Sequence, residues 1–186
     1  MPQELIVVLD FGGQYSHLIT RRIRECDVYS ELLPYTATPQ EILKFNVKGI
    51  VLSGGPASVY DPRAPRCDLG VFRLGVPVLG ICYGLQMMVE LLGGRVKATN
   101  RHEYGKTMLQ VKDTSDLFKG VKERTVVWMS HGDYATVLPE GFEVIATSDN
   151  CPTAAICNRS SKLYAVQFHP EVAHTENGTQ IIKIFL

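Results

Sequence analysis

Apolar residues in this chain gather in short unbroken runs rather than alternating with polar ones. Leu5-Ile6-Val7-Val8-Leu9 closes on Asp10-Phe11-Gly12-Gly13, and Gly49-Ile50-Val51-Leu52 closes on Ser53-Gly54-Gly55-Pro56. Val76–Ile81 runs into Cys82-Tyr83-Gly84 in the same way. Runs of that length bounded by glycine read as strands buried on both faces. Between them the period changes. Leu18, Ile19, Ile23 and Cys26 recur at helical spacing, with arginines 21, 22 and 24 on the other face. A short strand around Val28–Leu33 follows, then a helix start at Thr38-Pro39 with Glu41 in its first turn. Leu85, Met88, Val89 and Leu92 fall at i, i+3, i+4 and i+7, and Gly93-Gly94 stops that helix. This alternation predicts an α/β domain whose parallel sheet is covered on both faces. Ligands in such sheets bind beyond the carboxyl ends of the strands, where the glycine loops lie.

From about Lys106 the texture changes. Residues 107–112, 125–130, 142–147, 153–158 and 163–168 read as strands joined by short turns, an antiparallel or mixed extension of the same core. A final helix is expected over Glu176–Leu186. No internal repeat or linker interrupts the chain, and 186 residues at 45% hydrophobic suit one domain over 1–186.

Charge and cysteine content narrow the function. With 19 basic and 19 acidic residues and no basic run, neither nucleic acid nor an acidic membrane surface is expected as partner. The apolar runs are far short of a membrane span, and Met1-Pro2-Gln3-Glu4 lacks the form of a signal peptide. Five cysteines without a CxxC pair give neither a disulfide framework nor a zinc site, which fits a reducing, cytoplasmic setting.

One of those cysteines stands apart. Cys82 lies between Gly80 and Gly84 at a strand-to-helix junction, the pattern of a nucleophile elbow. Glycine at both flanks relieves crowding in the tight turn, and helix N-terminal amides there favour a thiolate and a developing oxyanion. The plainer reading of an unpaired cysteine is a small buried hydrophobe, and Cys26, Cys67, Cys151 and Cys157 keep it. A nucleophilic thiol needs a base. In Gln167-Phe168-His169-Pro170-Glu171-Val172, the proline holds His169 extended, so the side chains of His169 and Glu171 point the same way. Glu171 can then fix the imidazole's tautomer, although a surface His-Pro turn would look alike. In Ser53-Gly54-Gly55-Pro56 the proline has no N–H, leaving Gly54 or Gly55 as an oxyanion donor beside the Tyr83 amide. A pyrophosphatase-type phosphate loop is rejected, because Ala57 stands where an aspartate belongs and Pro56 is rigid. Trp128-Met129-Ser130-His131-Gly132-Asp133 ends a predicted strand and reads either as substrate recognition or as a turn. His17, His102 and His174 have no metal-ligand partners at convincing spacing.

Together the 80–86 elbow, the 53–56 loop and the His169-Pro170-Glu171 trio resemble class I, or triad, glutamine amidotransferases over essentially the whole chain. Asp10-Phe11-Gly12-Gly13-Gln14-Tyr15, Glu103-Tyr104-Gly105-Lys106 and Trp128–Asp133 are similar to the glutaminase domains of the GMP synthetase branch, with Gly13 where the family more often has serine. The resemblance implies a flavodoxin-like fold, mostly parallel with an antiparallel C-terminal extension. It implies a glutaminase in which Cys82 attacks L-glutamine, His169 moves protons and Glu171 orients it. It places the oxyanion on the amides of Gly55 and Tyr83, and substrate contacts at Gln86, Ser130, His131, Gly132 and Asp133. No metal or cofactor is implied for this step. ATP and Mg2+ are expected only on a GMP synthetase ATP-pyrophosphatase domain or subunit, which would receive the ammonia and aminate XMP. Two alternatives are a cysteine-dependent γ-glutamyl hydrolase or peptidase of related fold, and a non-catalytic regulatory module.

Overall fold

The computed structural model describes residues 3–186, leaving out the side chains at 100 and 101. Met1 and Pro2, part of the stretch read for a leader, lie outside the described residues. The three apolar runs, with the strands expected around 28–33 and over 163–168, become neighbouring strands of one sheet. Strands β1 (Glu4–Asp10), β2 (Tyr29–Pro34), β3 (Asn46–Leu52), β4 (Val78–Ile81) and β9 (Leu163–Val166) form a parallel array in the order β2-β1-β3-β4-β9. That order is the flavodoxin-like doubly wound arrangement. Beyond β9 the sheet continues antiparallel through β8 (Ala155–Asn158), β7 (Glu143–Thr147), β5 (Arg95–Val111) and β6 (Arg124–Val137). The expected extension is therefore present, and the sheet has four parallel and four antiparallel pairings among the described residues.

Apolar runs without alternation occur because both faces are covered. Val7, Leu9, Ile50 and Leu52 bury one face, together with Ile42 of α2 (Pro39–Ile42) and Leu85, Met88 and Val89 of α3 (Tyr83–Leu91). Ile6, Val8, Val51, Leu79 and Ile81 bury the other, against Ile19 and Ile23 of α1 (Ser16–Arg24) and Ile181 and Ile182 of α4 (Gly178–Phe185). Each such side chain contributes about 1.5–3 kcal/mol on burial, so the two clusters dominate the stability of the sheet. The start of α2, expected at Thr38-Pro39, is closed by a capping box: Thr38 Oγ1 accepts from Glu41 N, and Glu41 accepts from Thr38 N.

Two expectations need correction. The strand expected over 107–112 begins at Arg95, and the one expected to end at Ser130 continues to Val137. The two form a long hairpin whose register slips between Ala98 and Glu103, and that irregularity hid the period-two signal. The segment 128–133 is therefore mid-strand, not a strand end or a turn. The arginines of α1 are also not all solvated. Arg22 Nε donates to the Glu171 carbonyl at 2.9 Å, and Arg24 Nη2 donates to the Ser30 carbonyl at 2.7 Å.

Candidate active site

The parallel half has its switch point between β1 and β3, and the loops leaving those strands lie side by side. Ser53 Oγ accepts from Phe11 N at 3.0 Å and donates to the Gly54 carbonyl at 2.9 Å, tying the two loops together. Asp10 Oδ1 accepts from Gly12 N and from Ser16 Oγ, which shapes the first loop. The loops approach so closely that a Cβ at Gly55 would meet the Phe11 carbonyl oxygen at 2.7 Å, and one at Gly13 would overlap the Gly54 carbonyl. Gly13, where the family more often has serine, is thus fitted to this contact; a serine there would push the loops apart.

A cavity of about 330 Å³ opens at this place, a volume within the usual range for small-ligand sites. Gly12–Tyr15 after β1, Gly54–Pro56 after β3, Cys82 after β4, Ser130 of β6 and His169 after β9 line it. Apart from Cys82 and His169 the lining carries no titratable group but the Tyr15 phenol, and much of it is main chain. Such a wall suits a polar, uncharged carboxamide.

Cys82 sits at the elbow with φ 52° and ψ −105°, a backbone conformation that costs a non-glycine residue about 1–3 kcal/mol. The glycines beside it are required for two different reasons. A Cβ at Gly80 would stand 2.8 Å from the Gly84 main chain, and one at Gly84 would run into the Leu52 carbonyl of β3. The turn closes on itself through the first and packs against the neighbouring strand through the second. Tyr83 is the first residue of α3, so its amide is among the N–H groups that the helix leaves without an internal partner. Its ring points away, with the hydroxyl donating to the Pro65 carbonyl at 2.6 Å.

His169 lies three residues beyond β9 and is pinned at its backbone: its N–H donates to the Trp128 carbonyl of β6 at 3.0 Å, and its carbonyl accepts from Thr175 Oγ1 at 2.6 Å. Nδ1 is 2.7 Å from Glu171 Oε1, as the i, i+2 spacing predicts, and the Glu171 side chain is fully buried. The other ring nitrogen is left for the Cys82 side chain. Tyr15 meets the ring edge-on at a centroid distance of 5.4 Å. Burial opposes a charge on His169, but contact with Cys82 and with the Glu171 carboxylate outweighs it and holds the imidazole well above its ordinary value. The Cys82 side chain thus lies beside a ring held in its protonated form.

The remaining expected contacts divide. Gly55 and Ser130 line the cavity, whereas Gln86, His131, Gly132 and Asp133 do not. Gln86 is buried and donates through Nε2 to the Asp133 carbonyl at 3.1 Å and to Gln167 Oε1 at 3.3 Å. His131 is buried between the Asp133 carbonyl and Glu103 Oε2, each 2.9 Å from a ring nitrogen. Gly132 packs where a Cβ would overlap the His102 ring, and Asp133 Oδ1 accepts from Tyr60 at 3.2 Å. His131 falls on the sheet face opposite Ser130 because residues along β6 alternate, and Gln86, from α3, meets the Asp133 carbonyl behind the site. Gln14 and Tyr15 line the cavity, although in the sequence their motif reads only as a branch marker. Their position after a buried strand was the available signal.

Among the described residues, Glu103, His131 and Cys151 form the one group with metal-ligating atoms within 4.8 Å of one another. Each is already committed. Glu103 accepts from His131 and from Ser148 Oγ at 2.8 Å, and burial pushes the Cys151 thiol up to about 12. A three-donor set so engaged does not fit a resident ion. The other cysteines read as inert are raised as well, Cys67 to about 12 and Cys157 to about 11, both chiefly by burial.

An elbow cysteine faced by a carboxylate-held imidazole, at the switch point of a flavodoxin-ordered sheet, defines a Cys-His-Glu triad protein. The family model for class-I glutamine amidotransferases matches residues 7–186, and the chain belongs to that family. It is 58% identical over 184 residues to GMP synthase (glutamine-hydrolyzing) of Caldanaerobacter subterraneus, covering 99% of this chain and 36% of the relative. The same-named protein of Bacillus subtilis is 56% identical over 183 residues, covering 98% and 36%. The chain thus spans about 36% of the length of these curated relatives. The crystal structure of a protein described as a GMP synthase subunit, from Thermoplasma acidophilum, superposes with TM-score 0.88 at 32% identity, covering all of this chain and 92% of that one. A Thermotoga maritima glutamine amidotransferase shares the fold, with TM-score 0.71 at 21% identity over 92% of this chain and 77% of that one.

Proposed function

We propose that this domain hydrolyses L-glutamine to L-glutamate and ammonia through a cysteinyl thioester, and that the ammonia serves a GMP synthetase ATP-pyrophosphatase domain or subunit that aminates XMP. The observation that carries the reading is the contact of Cys82, His169 and Glu171 at the floor of a cavity rich in main-chain groups. The Cys82 thiolate adds to the side-chain carbonyl carbon, and the amides of Gly55 and Tyr83 receive the negative oxygen. His169 gives its proton to the departing nitrogen as the C–N bond breaks, releasing ammonia and leaving the thioester. The sulfur then carries no charge, and one of the influences holding the proton on His169 is gone. Burial counts for more, and the neutral ring can take a proton from water as that water attacks the thioester. Glutamate leaves, and thiolate and imidazolium are restored. Glu171 fixes the ring throughout.

This scheme needs no metal; ATP and Mg2+ belong to the synthetase partner. The GMP branch is favoured by the high identity over nearly the whole chain to proteins named GMP synthase. Glutamate should form from L-glutamine, with one ammonia released per turnover, and should not form from a γ-glutamyl dipeptide. Ammonia release should rise when an ATP-pyrophosphatase partner, XMP, ATP and Mg2+ are added. Turnover of the dipeptide alone would replace the reading with a γ-glutamyl hydrolase, and absence of stimulation would remove the GMP branch.

A further inference from the structure

We propose that Gln167 is a further catalytic residue, whose side-chain N–H is aimed at the Cys82 sulfur by a buried hydrogen-bond relay that starts at a main-chain carbonyl. This rests on the thiol reading above and adds a donor that the triad does not contain. Gln167 is fully buried, and its Nε2 lies 3.6 Å from Cys82 Sγ. The two ends of a carboxamide have the same shape, so its direction follows from its partners.

At the start of the relay stands the Asp133 carbonyl, which can only accept. Gln86 Nε2 lies 3.1 Å from it, so that end of Gln86 must be the amide nitrogen. The same nitrogen is 3.3 Å from the Gln167 side chain, where it requires an oxygen. The Gln167 oxygen therefore faces Gln86, and its NH2 faces the sulfur. A second donor closes off the alternative. The Asp133 carbonyl accepts from His131 Nδ1 at 2.9 Å, and the Glu103 carboxylate accepts from Nε2 at 2.9 Å. Both lone pairs of the carbonyl are then in use; turning Gln86 over would set oxygen against oxygen, and turning Gln167 over would set N–H against N–H.

The sulfur needs this donor. The Ser130 carbonyl stands 3.7 Å from Sγ, where it accepts from a neutral thiol and repels a thiolate. Gln167 opposes that repulsion in every state of the cycle, including those in which the His169 proton has moved to nitrogen.

The test alkylates Cys82 with iodoacetamide, followed by mass spectrometry across pH, beside glutaminase kcat and KM. Gln167→Met keeps the bulk and removes the donor. At pH 6, where protons compete for the sulfur, its alkylation should be about tenfold slower than wild type, a hydrogen bond to an ion being at stake. The deficit should close as pH rises; kcat should fall similarly with KM within about twofold. Gln167→Glu keeps an acceptor for Gln86 but sets a carboxylate beside the sulfur, and should lose more. Wild-type rates at pH 6 in either folded variant would overturn the proposal, as would a deficit that does not depend on pH. In the wild-type protein, the Gln167 side-chain amide signal in NMR should move when Cys82 is alkylated, and a fixed signal would also overturn it. Because alkylation needs no glutamine, a chain that failed to release ammonia would leave this reading of Gln167 intact.

Discussion

Gly54→Ala probes the geometry of the triad without removing any of its atoms. An added Cβ would stand 3.1 Å from His169 Cε1 and 3.7 Å from Cys82 Cβ. Ordinary contacts lie at 3.4–4 Å, so the ring must give by a few tenths of an ångström. It has little freedom to do so, being held by Glu171 at 2.7 Å and by Tyr15 on its edge. A displacement of about 1 Å in a catalytic group costs roughly 10²-fold, so a shift of this size should lower kcat about tenfold. Stability should change little. Alanine removes about 0.4–1 kcal/mol of unfolded-state freedom, which offsets a crowding cost of about 1 kcal/mol. Glutaminase kinetics and urea unfolding measure the two effects separately. A variant with wild-type kcat would show that the imidazole does not pack over Gly54, and a loss above about 3 kcal/mol would show that the loop is far less tolerant than its contacts imply.

Cys82→Ala and Cys82→Gly should both abolish ammonia release, but Cys82→Gly should unfold at higher urea, because glycine relieves a strain of about 1–3 kcal/mol at φ 52°; equal midpoints would deny that strain. Glu171→Gln should reduce kcat by about 10²–10⁴-fold, since the buried imidazolium loses its counter-charge, and a loss below tenfold in steady-state assays would reduce Glu171 to a spacer. Glu103 is opposed by burial, yet its bonds to His131 and Ser148 hold it below its ordinary 4.5. A lowered carboxylate stabilises the fold above its unfolded value, and that contribution is lost as pH falls through the folded one. Glu103→Gln should therefore destabilise by about 1–3 kcal/mol at neutral pH, with the gap to wild type narrowing below about pH 4.5; a gap constant with pH would place the cost in packing instead.

The elbow, the parallel strands and the His169–Glu171 pair were legible because each is written in local spacing: glycines at i±2 around Cys82, unbroken apolar runs, and a proline that sets i and i+2 on one side. The hairpin of β5 and β6 was not, since a register slip between Ala98 and Glu103 breaks the alternation that would mark a continuous strand. For the same reason Ser130–Asp133 read together as substrate contacts, although in a strand only alternate residues can face the cavity, and only Ser130 does. Gln86 and Gln167 are 81 positions apart, and no local pattern could show that their side chains meet. Arg22 reads as part of a solvated face because its partner, the Glu171 carbonyl, is 149 positions away.

Those long-range links explain why the antiparallel half belongs to the site rather than merely extending the sheet. Cys82 is fixed by the parallel half, at the end of β4 and the start of α3. The histidine is not: it lies in coil beyond β9, and coil alone would not hold a ring to a few tenths of an ångström. Strand β6 holds it instead, along its length. The Val126 carbonyl accepts from Glu176 N at 2.8 Å, Trp128 N donates to Thr175 Oγ1 at 3.0 Å, and the Trp128 carbonyl accepts from His169 N at 3.0 Å. Farther along the same strand, Ser130 meets the sulfur and Asp133 anchors Gln86. One rigid edge strand thus measures the spacing between Cys82 and His169, which arrive from separate loops of the chain. A substitution that loosens the Thr175 clasp, such as Thr175→Val, should accordingly lower kcat about tenfold while leaving iodoacetamide alkylation of Cys82 much less affected, because the methyl keeps the volume and only the His169 loop loses its tether. Equal loss in both assays would mean that the strand supports the cysteine and histidine as one unit rather than setting the distance between them.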